Sequence, residues 1–356
     1  MTKGIPGLRI VSIGGGTGLS TLLSGLKAYV GAEGPEADSI ETLTAVVTVT
    51  DDGGSSGRLR EEFQILPPGD IRNCMVALAE DEHLLTRLFQ YRFESDGDLS
   101  GHSFGNIFVA ALAGVTGDFL EAIKVSSEVL AINGRIYPST IEDVTLLAEV
   151  EDGRILRGET RIVDSRSRIK RLWLSRADCR PLPETLEAIN QADIITIGPG
   201  SLYTSLIPNL LVHGIVEAIN NSAALKIYIC NIMTQPGETE GFSIEDHLRV
   251  LFEYSPRLHI DYAIANSSLV TKASRDKYLA DGAVQVKFKA EPPPGSPAEQ
   301  IRVDIDGDSK HTIRVIREEL LNENGLVRHD PRKLARLILK IQRAERPSML
   351  ITVNTQ

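Results

Sequence analysis

Two glycine-rich stretches near the N-terminus hold the residues best suited to chemistry. They are Gly14-Gly15-Gly16-Thr17-Gly18-Leu19 and Asp51-Asp52-Gly53-Gly54-Ser55-Ser56-Gly57-Arg58. Each follows an apolar run, residues 8–13 and 43–50, that reads as a buried strand. Glycines let the backbone turn sharply and approach a ligand. The helix expected after the first loop, residues 19–29, aims free N–H groups at the same space, which suits a diphosphate. This loop lacks the Gly-Lys-Ser/Thr of a Walker A sequence, and Leu19 occupies the third glycine position of a dinucleotide fingerprint. In the second stretch, Asp51 and Asp52 could hold sugar hydroxyls, take Mg²⁺ or act as a base. Ser55 and Ser56 could hold an anion, and Arg58 could neutralise phosphate. The alternative is an Asp-Gly turn followed by helix-capping serines.

Four later segments carry similar groups. Asp70 and Asn73, after Pro67-Pro68-Gly69, open a helix, with Asp70 either capping it or touching ligand. His102, Ser103 and Asn106 lie between glycines ahead of an apolar helix. They do not form G-x-S-x-G, so a helix start touching ligand fits better than a hydrolase, with His102 kept as a candidate acid or base. Gly200, Ser201, Leu202 and Tyr203 close one strand, while Asn231 and Gln235 close another. In a doubly wound sheet such strand ends share an edge. The four strand-end loops are therefore expected to converge on one cleft for a nucleotide or nucleotide-sugar.

The elements that must position these loops alternate between strand and helix. The fold expected is α/β, a Rossmann-like, doubly wound, mainly parallel sheet with helical and β-hairpin insertions. Helices are expected at residues 71–79, 84–93, 104–113, 119–130, 184–190 and 214–223, and further strands at 193–197 and 226–230. Residues 141–180 read as an insertion built on a β-hairpin, and 290–310 as a Pro-rich, acidic surface loop. No linker splits the chain, so 1–356 reads as a single domain. The 356 residues are 42% hydrophobic and carry a net charge of −10, which argues against general nucleic-acid binding. The basic helix at 331–343 reads as an apolar face with solvated arginines. Three scattered cysteines suggest a reducing cytosol without disulfides, and no run has the length and pattern of a signal peptide or membrane span. A homodimer is a reasonable expectation at this size.

Taken in order, IGGGTGLS, TVTDDGGSSGRLR, PPGDIRN, GHSFGN, IGPGSLYTS and CNIMTQPGETEGF resemble the gluconeogenesis factor (YvcK-like) family. That family is related to the CofD 2-phospho-L-lactate transferases of deazaflavin cofactor synthesis. The resemblance spans about residues 8–280 and the Val327-Arg328-His329-Asp330 piece. It implies a cytoplasmic protein that binds UDP-sugars such as UDP-N-acetylglucosamine. It also implies a role in cell shape and peptidoglycan precursor supply on gluconeogenic carbon sources, with a partner in cell-wall synthesis. By the same resemblance, Tyr278 and Arg328 look like the family's nucleotide-sugar residues, and Asp51 or Asp52 like the metal- and substrate-binding aspartate of the transferases. The leading expectation is a binding protein that requires no cofactor. The alternative is a Mg-dependent transferase acting on a nucleoside-diphosphate-linked donor, and a weaker third is an NAD-dependent oxidoreductase.

Overall fold

A computed structural model describes residues 7–32, 39–80, 83–94, 96–289, 298–304 and 310–353. The first half opens with β1 (Leu8–Gly14), α1 (Gly16–Leu26), β2 (Ile40–Val47) and α2 (Gly54–Phe63). It continues through α3 (Gly69–Leu78), α4 (His83–Gln90), α5 (Phe104–Thr116), α6 (Phe119–Val129) and β3 (Arg135–Pro138). An excursion follows with β4 (Leu146–Val150), β5 (Ile155–Arg157), α7 (Glu159–Asp164) and β6 (Ile169–Leu174). The second half contains α8 (Pro183–Gln191), β7 (Ile194–Ile197), a π-helical turn Leu202–Leu206, α9 (Ile207–Leu211), α10 (Ile215–Asn221) and β8 (Leu225–Ile229). After α11 (Ile244–Tyr254), β9 (Tyr262–Asn266) and α12 (Lys272–Ala280) come β10 (Ala298–Asp304), β11 (Lys310–Glu318), β12 (Leu321–Asn322), β13 (Arg328–His329) and α13 (Pro331–Val353).

The main sheet runs β10-β11-β9-β8-β7-β1-β2-β3. Seven strands are parallel, and β10 pairs antiparallel with β11. The chain builds outward from β1 through β2 to β3, then returns to the other flank of β1 with β7, β8 and β9. The direction therefore reverses between β1 and β7. In open α/β sheets the ligand crevice lies at such a reversal, beyond the carboxyl ends of the strands.

Both faces of the sheet are buried, which is why its strands read as continuous apolar runs. Successive residues alternate between two cores. Ile13, Val46, Ile195 and Tyr228 face the layer of α8 to α11, whereas Ile10, Leu43, Val47 and Ile227 face α1, α3 and α13. Helix α13 lies close along α1. A Cβ on Gly25 would run into the carbonyl of Pro331, so glycine permits this approach.

Several elements differ from expectation. The serine-rich stretch after Asp52 is helical from Gly54 onward, because residues 54–63 form all of α2. The β-excursion is a three-stranded antiparallel sheet ordered β5-β4-β6. The surface loop expected at 290–310 is a strand over Ala298–Asp304, paired in register with Lys310–Ile316, while 290–297 and 305–309 fall outside the described residues. Its composition concealed an edge strand, where charged residues are common because one side faces no partner. Of the acidic stretch between α1 and β2, residues 33–38 fall outside the described residues. Among the described residues no single helix is long and apolar enough to cross a bilayer.

The α1–α13 packing gives a direct test. Gly25→Ala should lower stability by about 1–3 kcal/mol through overpacking. Gly114→Ala, in α5 with open space around its Cβ, should be neutral or slightly stabilising. Urea midpoints of the two variants check this, and equal midpoints would contradict the packing described.

Candidate functional site

The carboxyl ends of β1, β2, β7 and β8 share one edge, as expected, but their loops line two adjoining cavities rather than one cleft. The larger has a volume of about 320 Å³. Gly15, Gly16, Thr17, Gly18 and Thr21 come from the start of α1, and Pro199, Gly200, Ser201 and Ser205 from the segment after β7. Residues 231–236 follow β8, Tyr278, Asp281 and Ala283 lie in and after α12, and Leu326 to His329 complete the wall.

Backbone proximity sets this geometry. Gly16 has φ of +61°, a left-handed conformation that favours glycine. A Cβ on Gly18 would collide with the carbonyl oxygen of Pro199, so only glycine lets the two loops meet. Past this contact the first turn of α1 presents N–H groups that have no acceptor within the helix. Asn231 and Gln235 act largely as clamps. Asn231 Nδ2 donates to the Gly200 carbonyl at 2.8 Å while its Oδ1 accepts the Gly200 N–H at 3.2 Å. Gln235 Nε2 donates to Ser201 Oγ at 2.7 Å. Asn209, a buried residue that the sequence reading passed over, donates to the Gly14 and Ser205 carbonyls at 2.9 and 2.7 Å.

Tyr278 and Arg328, far from the glycine loops in sequence, stand on the same cavity. The Tyr278 hydroxyl accepts the Val327 N–H at 2.9 Å, which ties α12 to the strand carrying Arg328. Arg328 is exposed, and its guanidinium forms no ion pair with any described residue. A cation at the mouth of an amide-rich cleft suits an anionic ligand.

The second cavity, about 270 Å³, is lined by Asp51, Gly53, Gly54, Ser55, Ser56, Gly69, Asp70, Arg72, Asn73, Arg92 and Asn106. Asp51 Oδ1 accepts the Gly53 N–H at 2.9 Å, and burial raises its pKa despite that bond and one from Ser56. Asp70 is the joint between the cavities. It faces the second, accepts the Gly16 N–H, and lies 2.6 Å from where a Cβ of Gly15 would stand. Burial, and secondarily the Asp51 charge, push Asp70 up to about 7. Arg72 is buried and fully engaged. Its Nε donates to Asn106 Oδ1 at 2.8 Å and its Nη2 to Asn73 Oδ1 at 2.7 Å. Two further acids, the buried Glu238 and the half-buried Glu159, lie nearby, Glu159 within reach of the charges on Asp51, Asp70 and Glu238. Burial raises Glu159 and Glu238, the latter to about 7, where it accepts the Tyr203 N–H at 3.1 Å and the Thr204 hydroxyl at 3.2 Å. Among the described residues no cluster of three or more His, Cys, Asp or Glu forms a ready metal cage.

Other candidate residues occupy neither cavity. Asp52 Oδ1 accepts both the N–H and the hydroxyl of Thr160 at 2.9 Å, so it holds the start of α7 instead of facing a ligand. Arg58 donates to the carbonyls of Asp98 and Ser100 at the surface. Leu19 and Leu202 are core residues, and Tyr203 packs edge-on against Phe242 and Tyr254. Gly14 ends β1, its carbonyl accepting from Asn209 Nδ2 and from the Thr48 N–H. Ser103 caps α5, with its side chain accepting the Asn106 N–H at 3.1 Å. His102 Nδ1 lies 3.0 Å from Ser55 Oγ. That oxygen already accepts from Asn106 Nδ2 and the Ser103 N–H, so its proton points to His102. The pair ties α2 to α5 and leaves no free lone pair for nucleophilic attack.

Thr21, Ser205, Asp281, Val327 and His329 line the first cavity, and Arg92 the second, without having been singled out. Thr21 follows Thr17 by one helical turn and Ser205 likewise follows Ser201, a spacing that could have flagged them. Asp281 and Arg92 carry no local signal.

A family model described as 2-phospho-L-lactate transferase CofD matches residues 10–321. The fold and cleft thus define a Rossmann-like α/β protein of the CofD/UPF0052 class. A crystal structure of a UPF0052 family member from Bacillus halodurans superposes with a TM-score of 0.82 at 42% identity, covering 94% of this chain and 100% of that one. The gluconeogenesis factor of Bacillus subtilis is 43% identical over 334 residues, 94% of this chain and 98% of its own. That of Halalkalibacterium halodurans is 43% identical over 332 residues, 93% and 95% respectively. The chain belongs to the gluconeogenesis factor family.

Asp70 makes stability depend on pH. Its folded pKa, about 7, lies above the ordinary 3.8, so the folded state holds a proton that the unfolded chain releases. The stability this gives is complete below pH ~4 and is lost as pH rises through ~7. Asp70→Asn keeps an acceptor for the Gly16 N–H and removes the titration. Its melting temperature should match wild type near pH 4 and exceed it at pH 8. A difference independent of pH in scanning calorimetry would contradict the assignment.

Proposed function

We propose that the protein binds a nucleotide-sugar of the UDP-N-acetylglucosamine type in the first cavity and reports its level to a partner in cell-wall synthesis. The observation carrying this reading is the convergence of the α1 N-terminus, the amide-clamped loops after β7 and β8, Tyr278 and Arg328 on one cavity. Glycine N–H groups and the Arg328 guanidinium suit a diphosphate. Ile232, Met233 and Val327, with Tyr278 against them, give an apolar end suited to a base. The family membership carries with it the expectation of a role in cell shape and precursor supply on gluconeogenic carbon sources.

A second reading, a Mg-dependent transferase, is favoured by one feature: Asp51 and Asp70 face a cavity that adjoins the first. Two carboxylates with phosphate oxygens and water are a usual Mg²⁺ environment. When bound there, Mg²⁺ would offset charge on a phosphoryl group. The chain's own part would be to hold the donor on α1 and keep the acceptor side polar through Ser55, Ser56 and Asn73.

Calorimetric titration with UDP-N-acetylglucosamine should give saturable binding that weakens roughly 10- to 100-fold in Arg328→Ala, the usual cost of a charge-assisted hydrogen bond. No heat and no thermal shift at millimolar ligand would refute the binding reading. Mg²⁺-dependent turnover of a nucleoside-diphosphate-linked donor, lost in Asp51→Asn and kept in Asp52→Asn, would establish the transferase instead.

A further inference from the structure

His329 enters the wall of the first cavity beside Arg328, 5% exposed, at the junction of β13 and α13. Its Nε2 is buried and has no hydrogen-bond partner among the described residues. A buried polar atom left unpaired is costly, and such atoms in native proteins commonly mark a site completed by something else. Two amides on the same cavity are already committed. The Asn231 amide is taken by Gly200 and Gln235, and the Gln235 amide by Ser201.

The state of the ring restricts what the partner can be. Burial pushes its pKa down to about 4, with the Cys230 carbonyl opposing the shift, so the imidazole is neutral near pH 7. A neutral ring with its one N–H turned to a carbonyl leaves the other nitrogen as a pure acceptor. Phosphate oxygens carry no donor at that pH and would be repelled by an acceptor lone pair. The complement is a neutral N–H or O–H.

We propose that His329 is a ligand-binding residue of this cavity, its Nε2 accepting a hydrogen bond from the nucleoside part of the ligand. The assignment rests on the nucleotide-sugar reading above. It places the nucleoside against Val327 and His329 and leaves the phosphates to the N–H groups of Gly16 to Gly18 and to Arg328. Two donors share the required chemistry, the imide N–H of a uracil-type base and the ribose 2′-hydroxyl.

The test uses the full chain labelled with ¹⁵N-histidine and UDP as probe, the His329 signal being the one lost in His329→Asn. On saturation with UDP the Nε2 resonance should move upfield, as an unprotonated ring nitrogen does on accepting a hydrogen bond. Loss of that movement with 3-methyl-UDP assigns the base as donor, and loss with 2′-deoxy-UDP assigns the ribose. In parallel, His329→Phe should bind UDP about five- to tenfold more weakly, and His329→Gln, which restores an acceptor, should recover part of the loss. Melting temperatures without ligand confirm that both variants fold. UDP binding with an unmoved Nε2 resonance, or movement that survives in both analogues, would overturn the assignment and leave the nucleotide reading standing. Failure of the wild-type chain to bind UDP or UDP-N-acetylglucosamine would remove both.

Discussion

The cleft depends on backbone meeting backbone at the reversal point of the sheet. Gly18 and Pro199 approach so closely that no side chain fits between them. That contact brings the amide-bearing start of α1 beside the loop after β7, and the clamps from Asn209, Asn231 and Gln235 keep it there. Glycine is often treated as a source of flexibility. Here it permits a rigid junction, because the cost of ordering it is met by hydrogen bonds on either side.

A second constraint is electrostatic. Carboxyl groups of Asp51 and Asp70 line the second cavity, Glu159 and Glu238 lie nearby, and burial raises all four. Neutral, they act as hydrogen-bonding struts. Ionised, they oppose negative charge in the cleft. Arg60, Arg72 and Arg92 lie near enough to moderate that field. The protein thus keeps acidic groups beside the glycine-rich start of α1 without filling the first cavity with negative charge.

Much of the fold was legible because strand ends announce themselves. Apolar runs that stop at glycine and hydroxyl clusters identified β1, β2, β7 and β8, and two-sided burial explains why these runs do not alternate. Short β3, the parallel strands β9 and β11 and the edge strand β10 escaped, β3 through its length and β10 through its proline-flanked, charged composition. Within the site, Gly15 to Gly18, Ser201, Asn231, Gln235, Asp51 and Asp70 could be read from type and position. Their division between two cavities could not, since it turns on which side chain at a strand end points where. Asp51 and Asp52 are adjacent in sequence, yet one faces a cavity and the other grips Thr160. Tyr278 and Arg328 were reached only through family resemblance, because nothing local distinguishes them from surface residues.

The closeness of α1 to α13 bears on how the protein is made. Leu334, Ala335, Ile338 and Ile341 are buried on the flank where α1 packs, and α13 begins directly after Arg328 and His329. A nascent chain can assemble its parallel strands as they leave the ribosome, but the flank of α1 that meets α13 stays uncovered until residues 331–343 have been made as well. The cavity wall at Leu326 to His329 is likewise completed only when that late segment folds back onto α1, so a copy truncated ahead of it would expose an apolar surface.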